Sequence, residues 1–302
     1  MNPLALVLIA ALAPTGASGP PAEAADPREA PVRAAAPAPR LVTLRVTAPP
    51  PGFNPRYTKY VSARGFPVLG TARANDYALL EAAYLINQML EPRPDLRQAL
   101  TDSGCRLAVM ATDEFTTDVP EHSDLTPKAY YDRRARGLGA TRARPAVSCG
   151  EENLLGLPSD PYHEESILVH EFAHAVHAMG LNVADKDFDA RLRATFERAV
   201  ADGLWKGKYA GKNRDEYWAE VVQSYFDTNR RPDHDHNHVR TRGDLEKYDP
   251  RAFALVDEVF RGSKWRYVRP TDRTEPGHLA GFDPKTVKPF RWPPEPKDAP
   301  KK

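Results

Sequence analysis

The stretch His170-Glu171-Phe172-Ala173-His174 decides how this chain is read. Two imidazoles four residues apart share one face of a helix, one turn from each other, with a carboxylate beside the first. That is the smallest set of side chains able to hold a zinc ion and keep a base next to it. Helical spacing continues on both sides. At about 100° per residue, with His170 at zero, His174 falls near 40° and His177 near −20°, while Leu168, Phe172, Ala175, Val176 and Met179 spread over roughly 140–240°. A helix so divided buries its apolar stripe and turns its histidines toward a cleft, and Gly180 is expected to end it.

Metal-assisted hydrolysis needs a third protein ligand and an open position for water. The longer zinc pattern with a third histidine is excluded, because Gly180 stands where that histidine belongs and His177 where its glycine belongs. A second helix offers carboxylates instead, in Asn213-Arg214-Asp215-Glu216-Tyr217-Trp218-Ala219-Glu220. With Glu216 at zero, Glu220 lies near 40°, and Trp218, Val221, Val222 and Tyr225 occupy roughly 140–240°. We expect Glu216 as the third ligand and Glu220 as the carboxylate that accepts the N–H of a ligating histidine and fixes its tautomer. The two share a face, so spacing leaves open which of them reaches the metal. His177, one turn beyond the pair, is expected to support a ligand or wall the cleft, since a fourth ligand would close the site to water.

Taken together, H-E-x-x-H and the downstream E-x-x-A-E resemble the gluzincin metallopeptidases, and more narrowly the catalytic domain of anthrax lethal factor and its bacterial relatives. The likeness spans residues 79–226 and extends toward Tyr267, without the toxin's large recognition domains. Thr117-Asp118-Val119-Pro120-Glu121-His122 and Glu151-Glu152-Asn153-Leu154-Leu155 are similar to family segments, although sequence assigns them no chemistry. The resemblance implies a zincin-like α+β domain, helix-rich with a small mixed sheet, and a zinc metalloendopeptidase acting on a peptide or protein substrate. It also implies that Tyr209, seven residues before Glu216, helps to stabilise the oxyanion. Glu171 is the expected base. Two other readings stay open: a catalytically idle zinc-bearing binding module, and a zinc hydrolase of a non-peptide amide or ester.

The rest of the chain frames this site. With 302 residues, 41% of them hydrophobic, one catalytic domain with extensions is expected, and a monomer. A net charge of +1 from 42 basic and 41 acidic residues gives no electrostatic case for nucleic acid. Residues 4–13 are apolar but too few to span a bilayer, and Ala22-Glu23-Ala24 offers a cleavage site, so residues 1–24 read as a signal peptide and the protein as secreted or periplasmic. Residues 25–52 read as a Pro/Ala-rich linker with a strand at 41–46, residues 53–275 as the catalytic domain and residues 276–302 as a solvated Pro/Lys-rich tail. Cys105 and Cys149, the only cysteines, read as a bridge in an exported protein.

Helices are expected at 76–90 behind Asn75, after Pro94, at 186–202, at 214–226 behind Asn213 and at 250–261 behind Asp249. Strands are expected at 106–111 and at 146–149, the latter followed by Asn153-Leu154-Leu155. Trp218, Trp265 and Tyr267 read as core. The run Asp233-His234-Asp235-His236-Asn237-His238 reads as a solvated loop rather than a second metal site, with His238, nearest the following helical segment, the histidine placed to enter the cleft as an oxyanion donor.

Overall fold

The computed structural model describes residues 44–294, and these form an α+β domain around a five-stranded mixed sheet. β1 (Lys59–Ala63) and β2 (Phe66–Gly70) form a hairpin. Its two-residue turn places Arg64 at φ 52° and Gly65 at φ 101°, the left-handed pair that matches the twist of the flanking strands. α1 (Asp76–Met89) and α2 (Pro94–Asp102) then lead to β3 (Arg106–Met110), which lies parallel to β2. After α3 (Lys128–Arg134) come β4 (Gly137–Leu138) and β5 (Ala146–Gly150). β5 is parallel to β3 and antiparallel to β4, so the order is β1-β2-β3-β5-β4 with β4 at one edge. β5 is buried throughout, as a parallel strand covered on both faces must be.

Helices make up the second half. α4 (Glu151–Leu154) follows β5 directly, so Asn153 and Leu154 are helical rather than part of a strand. α5 (Ile167–Ala175) carries the H-E-x-x-H residues and runs on into a π-helical turn, Val176–Leu181, and α6 (Asn182–Ala184). α7 (Phe188–Ala201), α8 (Arg214–Tyr225), α9 (Arg242–Tyr248) and α10 (Pro250–Val259) complete the set. The caps at Asn75, Asn213 and Asp249 form as their sequences suggest, each side chain accepting from an amide of the first turn. Phe172 is fully buried and meets Phe66 edge-on, with ring centroids 5.4 Å apart, which seats α5 on the sheet. Trp218 is also fully buried, and its indole N–H donates to the Ala173 carbonyl at 2.8 Å, which seats α8 on α5.

Four expectations need correction. Gly180 does not end the helix, because the π turn carries the chain past it. A Cβ there would stand 2.6 Å from Leu96 Cδ1, so its role is close approach to α2. The bridge between Cys105 and Cys149 does not form, and both residues are buried free thiols. The register explains this: Cys149 lies opposite Val109, four residues along from Cys105, or roughly 13 Å at strand rise and beyond disulfide reach. Burial pushes the Cys105 thiol up to about 12 and the Cys149 thiol well above its usual value, so both are chemically quiet.

At the ends, residues 44–46 form no strand. Among the described residues of this segment Thr47 alone pairs with the sheet, bridged to Tyr60, and Pro49, Pro50 and Pro51 remove the amides that would carry the ladder further. Residues 41–43 lie outside the described residues, as does the expected signal peptide at 1–24. The segment after 275 is not a solvated tail as far as it is described. Phe290 is buried beneath the Arg136 guanidinium, 4.4 Å from its ring centroid, and Trp292 sets its ring edge against Tyr162. Two aromatic side chains on a proline-stiffened segment bury enough apolar surface to hold it down. Among the described residues no helix is long and apolar enough to cross a membrane.

Candidate metal centre

α5 is fixed at its N-terminus before its histidines are reached. Ser166 caps it by accepting from the Val169 amide, and the Asn153 side chain accepts from the Ile167 amide at 2.8 Å. Asn153 also donates to Asp160 and to the carbonyls of Tyr162 and Glu165, tying α4, the following loop and α5 together. This gives the Glu151-Glu152-Asn153 segment a structural task. Glu151 accepts from the amides of Asn75 and Thr112, while Glu152 forms a fully buried ion pair with Arg136. Burial raises the Glu151 carboxyl to about 7 and the Asp160 carboxyl to about 6. The Thr117–His122 segment serves the sheet similarly, with Glu121 paired to Arg106 and His122 Nε2 against the Ala146 carbonyl.

α8 supplies the third group. Asn213 caps it by accepting from the amides of Asp215 and Glu216 at 2.9 Å, which puts Glu216 in the first turn, where the helix dipole favours negative charge. Its side chain turns toward α5. His170 Nε2, His174 Nε2 and Glu216 Oε2 stand 3.2, 3.3 and 3.5 Å from one another. For tetrahedral zinc with bonds near 2.05 Å, ligand atoms lie about 3.3 Å apart, so this donor set fits the ion in both chemistry and spacing. These three residues form the metal-competent group found among the described residues. Of the two carboxylates left open by sequence, Glu216 is the one beside both Nε2 atoms.

Glu220 does not take the part expected of it. Its Oε1 is 3.6 Å from His170 Nδ1, whereas Gln223 Oε1 stands at 2.8 Å. The Gln223 amide nitrogen faces the Ser166 carbonyl and Glu165, which fixes its oxygen toward the imidazole. His170 therefore donates from Nδ1 and keeps Nε2 for the centre, the tautomer a ligand needs. Gln223 lies seven residues, two helical turns, beyond Glu216, so periodicity puts it on the same face, but a search for carboxylates passes over it. Glu220 instead accepts from the Asn229 side-chain Nδ2 at 3.0 Å and faces His236.

Charge in this pocket calls for a cation. Burial opposes the charged form of His170, but the Glu216 contact and the charges of Glu171, Glu220 and Glu216 outweigh it and raise the imidazole to about 10. Burial works against the Glu216 carboxylate too, yet His170 and His174 hold it well below the usual range. A divalent ion between the donors would take over from the proton on His170.

The other expected residues sit around this centre. Glu171 lines the same cavity, of about 660 Å3, and among the described residues its carboxylate accepts no hydrogen bond. Tyr209 is half-buried at the cavity wall with its ring 6.1 Å from His170, and burial together with Glu216 raises its phenol above the usual range. His177 reaches the rim but binds away from the ligands, with Nε2 3.1 Å from Asp189 and Nδ1 3.6 Å from Asp215; burial lowers its pKa. The π turn that begins at Val176 takes it off the spacing of His170 and His174. From the 233–238 run, His236 enters the cavity, whereas His238 is exposed beside Tyr248.

Edge strand β4 roofs the histidine helix, and its sequence makes that contact possible. A Cβ at Gly137 would lie 2.5 Å from Ile167 Cγ2 and 2.8 Å from Glu171 Cγ, and one at Gly139 would lie 2.6 Å from His174 Cβ. The two glycines let backbone run directly over the base and a ligand.

Among solved structures, the Pro-Pro endopeptidase from Paenibacillus alvei aligns at 16% sequence identity with a TM-score of 0.42, over 64% of this chain and 96% of that one. No family model matches the chain, and no curated protein matches it by sequence.

Proposed function

We propose that this chain is a zinc-dependent metalloendopeptidase of the gluzincin type, with His170, His174 and Glu216 as metal ligands, Glu171 as the general base and Tyr209 as the oxyanion donor. The observation that carries the reading is the triangle of three donor atoms at zinc spacing, with an unpartnered carboxylate beside it in an open cleft. A bound zinc ion would supply Lewis acidity and a water of lowered pKa.

The chain's own groups supply the remainder. Glu171 takes a proton from the attacking water and hands it to the leaving amine. Tyr209 donates from its phenol to the oxygen of the carbonyl under attack, and its raised pKa keeps that proton in place at neutral pH. Gln223 holds His170 in one tautomer throughout. β4 lies at the sheet edge over the site, so an extended peptide can pair with its free side as an added strand; this favours a peptide over another amide or ester. A purely structural metal site has no use for the Glu171 carboxylate. Export through a leader at residues 1–24, with a secreted or periplasmic location, belongs to the same proposal.

Metal analysis of wild type and Glu171→Gln, paired with peptide-library cleavage, tests it. Near one zinc per chain is expected in both, with cleavage by wild type alone and a loss of ~10²-fold or more in the variant. Equal cleavage by the two would remove Glu171 from the mechanism, and zinc uptake with no cleavage of any peptide would favour the idle binding module.

A further inference from the structure

The polar run at residues 233–238 is built onto the turn that carries Tyr209. Asp233 Oδ1 accepts from the amides of Asp235 and His236, both at 2.8 Å, and from His236 Nδ1 at 2.9 Å, which folds the loop into a fixed knuckle. That knuckle clasps the Tyr209 turn through its backbone. The Tyr209 amide donates to the Asp235 carbonyl at 2.7 Å, and Lys208 Nζ donates to the carbonyls of Asp233 and His234. The His234 side chain is 96% exposed and turned away, whereas the His236 side chain is 10% exposed and lines the cleft. The His236 ring stacks on Tyr209, with centroids 6.2 Å apart and planes 25° from parallel. Lys212 Nζ lies 4.0 Å from the centroid of the same tyrosine ring.

We infer that His236 is a positioning residue for Tyr209: its imidazole, held by Asp233 and facing Glu220, gives the phenol a flat surface that selects the rotamer pointing into the cleft. A half-buried tyrosine on a short turn otherwise has several rotamers open to it, and only the fraction in the productive one can donate to the substrate. The inference rests on the proposed peptidase reading for its kinetic consequence, though not for its structural one.

The test uses full-length His236→Ala, His236→Leu, Tyr209→Phe and the double variant Tyr209→Phe/His236→Ala. His236→Leu keeps bulk without a ring face and guards against a loop that collapses on truncation. With a peptide that wild type cleaves, both His236 variants should lower kcat about tenfold, part of the ~10²–10³ lost with an oxyanion donor itself, with KM and chelator-competition zinc affinity unchanged. The double variant should be no slower than Tyr209→Phe. A further tenfold loss in it would show that His236 acts independently of Tyr209, and a fall in zinc affinity would move it to the metal; either overturns the inference. A second readout needs no turnover. In metal-free protein with 13C-labelled tyrosine, the Tyr209 ring signal, assigned by its absence in Tyr209→Phe, should shift in both His236 variants and leave most of the chain's other tyrosines in place. An unmoved signal refutes the positioning role, whereas wild type that cleaves nothing refutes the peptidase reading instead.

Discussion

Replacing Gln223 by Ala should weaken zinc binding without touching a ligand. In wild type, Gln223 Oε1 accepts from His170 Nδ1 at 2.8 Å in a place where both residues are buried. Removing that oxygen leaves a buried N–H without its acceptor, at a cost of about 1–3 kcal/mol. It also frees the imidazole to rotate or to carry its proton on Nε2, the atom meant for the metal. Loss of such a supporting contact typically lowers affinity 10–100-fold, equivalent to about 1.4–2.7 kcal/mol, so two independent routes to the magnitude agree. Glu220 limits the damage, since its Oε1 is 3.6 Å from the same nitrogen and needs only a small swing to accept from it. The expected value therefore sits toward the tenfold end, and Gln223→Ala combined with Glu220→Ala should fall further than the two single losses added. Competition of each variant with a chromophoric chelator at fixed pH measures this. Zinc affinity within twofold of wild type in Gln223→Ala, with the double variant merely additive, would refute the view that Gln223 sets the His170 tautomer.

Two further outcomes follow from the contacts around the site. Gly139→Ala places a methyl 2.6 Å from His174 Cβ, so either β4 or the ligand must shift; a loss of about 1–3 kcal/mol in denaturant unfolding and a fall in zinc affinity are expected. Glu151 binds its proton more tightly folded than unfolded, because burial lifts it from 4.5 to about 7. The folded state then carries more protons in that window, so this group's contribution to stability declines as pH rises from 4.5 through 7, and Glu151→Gln should flatten that part of the unfolding profile.

Much of the centre was legible because it obeys helical periodicity. His170, His174 and Glu216 converge as their spacing on two amphipathic helices requires, and the caps at Asn75, Asn213 and Asp249 mark helix starts that the fold keeps. What escaped the sequence depends on contacts between distant segments. Gln223 and His236 are ordinary polar residues until tertiary packing puts them against His170 and Tyr209. The hairpin of β1 and β2 is muted by Pro67 inside a strand and by Arg64 at a turn position that asparagine, aspartate or glycine usually fills. Pro67 is tolerated because the parallel ladder to β3 begins only at Val68. The cysteine pair misled because pairing depends on register, and composition carries no register.

That same unbridged pair gives the fold two internal sentinels. Cys105 and Cys149 lie within the main hydrophobic core, both under 2% exposed. With no covalent tie across β3 and β5, the cohesion of the sheet rests on packing and hydrogen bonds alone, and reductants leave it untouched. A thiol-specific reagent can reach these sulfurs only after those strands part, so the pace of their modification reads out how often the heart of the domain opens.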